Sequence, residues 1–409
     1  MKKIITSTFL MICLFFLVSC NKKNSNSITL MVPAWGVPTE TMLNNFQAES
    51  GIKVNIDSVS WDDIKNKVAI AATGKKAAAD VIEVDWSWIG EFKSAGWLEP
   101  LSLDEKTIKD IPSLSTFTIN NKILAVPYAN DFRTAYYNTE LYKKADLNPP
   151  KTWNELEKQM NYFKDKKILA YPYTLPLNAT EGTTTALIWI TFLRDGKVFN
   201  DNGSLNKENI LTTLNFINNC VQNKLINPIN LNMKDIDTYR QLLSGDSAYM
   251  IGPTSFISRA YDKTQSQVIG DIQIVLPPGE KTTAKQTMAL TEALGVSSFS
   301  KNKEAAQKFV KWYTSKKIQK ELYNNLNTIP TRTSVLNDLI VNGDIKNAGA
   351  LMETAKLVKS PFPNGVPDYY GEMSKTISNA INKMASGEIT PNAAFDEMNT
   401  KINNLIKNN

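Results

Sequence analysis

Three stretches decide the fold of this 409-residue chain: Ile28-Thr29-Leu30-Met31-Val32, the alternating run from Ile52 to Val59, and Asp80-Val81-Ile82-Glu83-Val84-Asp85-Trp86. Each reads as a strand, apolar enough to be buried on at least one face. Between the first two, Pro38 opens a helix with Met42, Leu43 and Phe46 on one face and Gly51 past its end. Between the last two, Asp62 to Ala72 has helical spacing and stops near Gly74. This β-α-β-α-β order predicts a mainly parallel sheet with helices on its faces.

Upstream lies Met1 to Cys20, MKKIITSTFLMICLFFLVSC. Lys2 and Lys3 precede an apolar run from Ile4 to Val18, too short to span a bilayer as a helix. The run ends at Leu17-Val18-Ser19-Cys20, which looks like a bacterial lipobox. The expectation is a signal peptide over 1–19, lipid on Cys20 and a polar tether over 20–27, because several acyl chains anchor stably where one binds marginally. The remainder then sits outside the cytoplasmic membrane, in a periplasm or on a cell surface.

Downstream, Ile123 to Tyr128 and Phe132 to Asn138 read as strands, and Pro149-Pro150 precedes a helix opened by Thr152-Trp153-Asn154-Glu155. Ser247 to Ile251, Asp271 to Leu276 and Ala289 to Ser298 are further strands. Lys303 to Tyr323 reads as one long amphipathic helix with Ala306, Phe309, Val310, Tyr313 and Leu322 on one side. Two helices close the chain, one carrying Met373, Ile377 and Ile381, the other capped by Thr390 with Pro391 at its first position.

Composition narrows the function. Forty-six basic and 40 acidic residues give a net charge of +6, scattered along the chain, so no nucleic-acid stripe exists. The chain has no His, which removes Ser-His-Asp and Cys-His nucleophile pairs and His-ligated metals, and no metal or cofactor is expected. With Cys13 in the signal and Cys20 lipidated, only Cys220 remains; its helical spacing with Leu214 and Ile217 reads as a buried, inert thiol. Phosphate-loop and Gly-x-Ser-x-Gly motifs are absent. Asp85, Asp131 and Glu292 are carboxylates of the kind glycosidases use, yet nothing in the sequence pairs them.

What stands out is Trp at strand ends: Trp35-Gly36 after the first strand, Trp61-Asp62-Asp63 after the second, and Asp85-Trp86-Ser87-Trp88 after the third. Ligands of open α/β sheets bind beyond the carboxyl ends of the strands. Sugars suit such a site, since indole covers their C–H faces while carboxylates accept from their hydroxyls. Any one Trp could equally be core, and Trp97, Trp153 and Trp312 are assigned there, with Trp189 read as core rather than contact.

The ordered segments Ala79-Asp80-Val81-Ile82-Glu83-Val84-Asp85-Trp86, Glu91 to Leu101, Lys122 to Tyr128, Pro149 to Trp153, Gly245 to Gly252, Leu294 to Ser298 and Ala385 to Glu388 together carry a resemblance. The chain resembles extracellular solute-binding protein family 1, the maltose-binding-protein-like receptors of bacterial ABC sugar importers. The resemblance implies a two-lobed α/β fold with a hinge crossed three times, near 131–134, 286–290 and 329–333, and a ligand cleft between the lobes. It divides the chain into an N-terminal lobe of 28–131 plus 288–330 and a C-terminal lobe of 132–287 plus 331–409. It further implies a monomer that hands a sugar, an oligosaccharide above all, to membrane permease subunits and performs no chemistry.

The same resemblance places Trp35, Trp61, Trp86 and Tyr370 as stacking residues and Asp85 and Asp131 as hydroxyl acceptors. Gly252, Glu292, Arg332, Asp368 and Tyr369 complete the implied site, although Thr291-Glu292 departs from the Gly-Gly-Trp-like stretch of relatives. Two alternatives stand beside the sugar reading. A glycerophosphate or other anion would need cleft cations, for which Arg133, Arg259 and Arg332 are available, and an extracellular carbohydrate-active enzyme would release products.

Overall fold

In the computed structural model, which describes residues 26–408, the strand Ser27–Val32 runs parallel to Lys53–Ser58 on one side and to Val81–Asp85 on the other. Alternation sends neighbouring side chains to opposite faces. Ile28, Leu30, Val32 and Val81 pack with Met42 and Phe46 of the helix Glu40–Ser50. Met31, Ile82 and Val84 pack with Ile64 and Val68 of the helix Trp61–Thr73. Val81–Asp85 is buried at every position, as a strand covered on both faces must be. Gly51 ends the first helix at φ 70°, a left-handed position that suits glycine.

Parallel pairing stops there. Glu292–Ser297 lies next to Val81–Asp85 but runs antiparallel to it, to Leu98–Glu99 and to Ala125–Ala129, so the first sheet is mixed rather than mainly parallel. The reason is topological: the chain re-enters this sheet from the second lobe, so the strand starts at the end where Val81–Asp85 finishes. Glu292 therefore stands directly opposite Asp85.

The second lobe is built on the strand order Ile272–Val275, Arg133–Asn138, Tyr249–Pro253, Tyr173–Thr174, antiparallel except for the last pair. The helix Trp153–Asp165 opens with a capping box between Thr152 and Glu155. Glu181–Leu193 is apolar after its first turn and packs between the helices Lys207–Gln222 and Tyr370–Ala385. Trp153 and Trp189 are buried in this core, as is Cys220. The stretch read as one helix over 303–323 is two, Lys303–Tyr313 and Lys316–Leu326. Thr314 and Ser315 divide them: the Thr314 hydroxyl bonds back to Val310 O, and the Ser315 hydroxyl accepts from Ile318 N–H as a cap.

Three segments pass side by side between the lobes. Asn130 N–H donates to Ile329 O at 2.9 Å, Leu290 N–H to Asp131 O at 2.7 Å and Arg133 N–H to Met288 O at 3.1 Å. Away from this hinge the lobes also touch where the segment around residues 360–370 meets the helix Ile89–Ser94. The Trp86 ring centroid lies 5.8 Å from that of Phe362, and a Cβ on Gly90 would stand 2.5 Å from Val366 O. Backbone meets backbone here, so only glycine fits. Gly90→Val is expected to pry this seam apart, costing about 1–3 kcal/mol. Urea unfolding and the radius of gyration in solution report it, and a variant matching wild type in both contradicts the seam.

Candidate ligand-binding site

Between the two lobes lies a cavity of about 880 Å³, large enough for a small ligand of several rings. Trp35, Trp61, Asp85, Trp86, Asp131 and Glu292 all line it, drawn from five separate stretches of chain. The first-lobe wall forms at the strand ends. Trp35 sits in the short turn after Ser27–Val32 and is 50% exposed, and its indole Nε1–H donates to Glu292 Oε2 at 2.7 Å. Trp61 starts its helix and leans on Trp88, with ring centroids 4.8 Å apart. Its face is therefore held from behind. Trp86 has less face to offer, being 4% exposed with its ring met by Tyr370 at 5.1 Å.

Asp85 ends its strand inside the wall. Burial raises its carboxyl to about pKa 6, although Ser87 N–H at 2.8 Å and Ser87 Oγ at 2.5 Å both donate to it. Across the strand pair, Tyr128 Oη lies 3.0 Å from Glu292 Oε2 and 3.0 Å from Glu83 Oε2. One hydroxyl proton cannot serve both, and burial pushes both carboxyls above their usual range. Asp131, on the first crossing, accepts from Thr254 N–H at 3.0 Å and from Arg133 at 3.3 Å.

The second-lobe wall was not legible in the sequence. It includes Asn178, Thr180, Glu181, Gly182, Thr185, Lys234, Asp235, Ile236 and Tyr239. Asp235 secures the start of Glu181–Leu193, accepting from Thr180 Oγ1 at 2.8 Å and Gly182 N–H at 2.9 Å. Any side chain at residue 182 would collide with it, since a Cβ there falls 2.2 Å from Asp235 Oδ2. Glu181 accepts from Tyr370 Oη and Ser374 Oγ, both at 2.5 Å. The one sequence signal for this wall was a Glu at the head of an otherwise apolar helix.

Five other expected site residues stay outside the cavity lining. Tyr370 stands behind the wall, orienting Glu181. Gly252 lies one residue before the end of its strand, beneath the Tyr239 ring, which is 3.6 Å from where its Cβ would be. Arg332 turns away into a buried ion pair with Asp110 at 3.1 Å. Asp368 accepts from Ser94 Oγ at 3.0 Å and, with Tyr369, lines a separate groove. Of the arginines that an anion would need, only Arg133 reaches the cavity, and Asp131 already occupies it.

Burial pushes the Glu181 carboxyl up to about 7, so the folded protein holds a proton there that the unfolded chain releases near pH 4. Asp85 does the same up to about 6. Their contribution is full below pH 4 and is lost as pH rises to about 7, on the order of 1.4 kcal/mol per unit of raised pKa. Glu181→Gln should match wild type in urea at pH 4 and exceed it at pH 8, and equal midpoints at pH 8 contradict this.

Residues 32–320 match the family described as bacterial extracellular solute-binding protein. A maltooligosaccharide ABC transporter solute-binding lipoprotein of Streptococcus pneumoniae is 24% identical over 405 residues, covering 90% of this chain and 86% of its own. Among solved structures, maltose-bound MalE3 of T. maritima superposes with a TM-score of 0.80 at 21% identity, covering 93% of this chain and 99% of that one. The ribitol complex of an ABC transporter solute-binding protein from Agrobacterium radiobacter K84 gives 0.83 at 19% identity, covering 93% and 98%. Both share the two-lobed fold. No helix among the described residues is long and apolar enough to cross a membrane. With most of its length matched by that family and its fold shared with those receptors, the chain belongs to the bacterial extracellular solute-binding proteins.

Proposed function

We propose that this protein captures a sugar or polyol in the cavity between its lobes and passes it to an ABC permease. We further propose that the division falls at 28–131 plus 288–330 and 132–287 plus 331–409, and that lipid on Cys20 tethers the chain outside the cytoplasmic membrane. Cys20 lies outside the described residues; the lipobox pattern supports the tether, and the S. pneumoniae relative is named a lipoprotein. The cavity itself carries the reading: indole faces on one wall oppose hydroxyl, amide and carboxylate groups on the other. An aromatic face takes the C–H side of a sugar ring while carboxylates and amides bond its hydroxyls. The names of the compared proteins, which specify maltooligosaccharide, maltose and ribitol, support the ligand class.

No reaction step is required. Lobe closure removes water from the ligand, strengthens each polar contact and yields the form that a permease engages. A glycerophosphate fits less well, because the lining holds Asp85, Asp131, Glu181, Asp235 and Glu292 against Arg133 and Lys234. The test is ligand recovery. The protein is held with a mixture of saccharides, polyols and glycerophosphates, separated, denatured, and the released solute identified by mass. An intact sugar or polyol is expected; hydrolysed products after long incubation, or a glycerophosphate alone, contradict the proposal.

A further inference from the structure

The carboxylates of the cavity exceed what a neutral sugar needs. Five of them line it, against Arg133, which is paired with Asp131, and Lys234, which is exposed at the rim. Among the described residues no Lys or Arg forms an ion pair with Asp85, which is buried, or with Glu181 and Glu292, which are half-buried. Asp85 and Glu292 stand opposite one another on paired strands. Trp35, 50% exposed and hydrogen-bonded to Glu292, and Trp61, braced by Trp88, flank them. Carboxylates beside indole faces are the surroundings that an ammonium group prefers, through charge-assisted hydrogen bonds and cation–π attraction.

The opposite wall asks for something else. Tyr239 lines the cavity, is 4% exposed, and its hydroxyl has no hydrogen-bond partner among the described residues. Arg133 is 7% exposed and its Nε–H is likewise without a partner. Buried donors left open cost free energy until a ligand oxygen fills them. The two walls thus call for a molecule with a cationic end and hydroxyl oxygens.

We infer that the ligand is an amino sugar or amino polyol, its protonated amine held by Asp85 and Glu292 beside Trp35 and Trp61, its hydroxyl oxygens by Tyr239 and Arg133. This rests on the sugar reading above and narrows it. Burial holds the Asp85 carboxyl above its ordinary range, and an ammonium group at this point offsets that desolvation where a neutral hydroxyl does not.

The experiment is calorimetric titration of the whole protein with matched pairs that differ only in amine for hydroxyl: glucamine against glucitol and glucosamine against glucose at one position, and the β-1,4 dimer of glucosamine against that of glucose at two. At least one amine is expected to bind about tenfold or more tighter than its partner, the gain of one charge-assisted hydrogen bond. In a folded Asp85→Asn, Glu292→Gln double variant that preference falls to threefold or less, which separates a direct contact from general attraction to an acidic cavity. If neutral members bind as tightly or more tightly, the amine inference is overturned while the sugar reading stands. If no amine member binds, the inference is overturned too, and ligand recovery then decides the sugar reading separately. The pairwise comparison in the wild-type protein stands even if the double variant does not fold.

Discussion

Asp131→Ala should lose both stability and ligand affinity, the largest combined effect expected of any single substitution in the cavity. Asp131 sits on the first crossing between lobes, where its backbone carbonyl accepts from Leu290 N–H at 2.7 Å. Its side chain accepts from Thr254 N–H at 3.0 Å on the second lobe and pairs with Arg133 at 3.3 Å. The Arg133 side chain is 8% exposed, so deleting the carboxylate strands a guanidinium that water hardly reaches. Breaking a buried pair costs about 3–5 kcal/mol, and the 27% exposure of Asp131 places this case near the lower figure. Burial raises the Asp131 carboxyl and Arg133 offsets that only in part, so Asn, which keeps an acceptor without the charge, should restore some stability. Urea midpoints and calorimetric affinity measure the two losses. A variant unchanged in both contradicts the role given to Asp131.

The second large effect falls on stability alone. Arg332 Nε–H donates to Thr314 O at 2.7 Å, and its guanidinium reaches Asp110 Oδ2 at 3.1 Å. Asp110 also accepts from Ser334 N–H at 2.9 Å and Ser334 Oγ–H at 2.8 Å. Despite burial, the Ser334 bonds and Arg332 hold the Asp110 carboxyl below its usual range. With side chains 9% and 12% exposed, this pair ties three distant parts of the chain where the third crossing leaves the first lobe. Arg332→Ala is expected to cost about 3 kcal/mol, the low end for breaking a buried pair, because Lys316 at 3.8 Å and the Ser334 bonds still hold Asp110. Ligand affinity, measured where the variant is fully folded, should stay within about twofold, since Arg332 does not line the cavity. A tenfold loss of affinity at unchanged stability returns Arg332 to the site.

These two residues show where sequence reading succeeds and where it stops. The first three strands were legible because each is an apolar run bounded by a helix signal, and local patterning sufficed. The caps at Thr152 and Thr390 were legible for the same reason, being fixed by residues within one turn. The antiparallel insertion of Glu292–Ser297 was not, since its partners lie about 165 to 210 residues earlier and no local pattern carries direction. The break at Thr314 and Ser315 was hidden inside a continuous amphipathic stripe.

The first-lobe wall was readable because Asp85 ends a recognisable strand and Trp35 and Trp61 each follow one closely. The second-lobe wall depends on contacts such as Asp235 with Thr180 and Gly182, more than 50 residues apart, between side chains that look ordinary in sequence. Asp131 and Arg332 are both charged residues near lobe crossings, and the family resemblance placed both in the site, Asp131 as a hydroxyl acceptor and Arg332 as a further member. What separates them is a partner: Arg332 finds Asp110 in the core, and Asp131 finds Arg133 at the cavity.

If the space between the lobes holds a sugar or polyol, such a ligand stabilises the folded protein. The most direct measurement is a thermal-shift screen of the purified protein against mono-, di- and oligosaccharides, polyols, amino sugars and glycerophosphates. A ligand at 100 times its dissociation constant adds about 2.7 kcal/mol to the folded state. A rise in melting temperature is expected with at least one sugar, amino sugar or polyol, lost in Trp61→Ala at the same ligand concentration. A rise confined to glycerophosphates, or one that Trp61→Ala leaves intact, contradicts a sugar or polyol in this space.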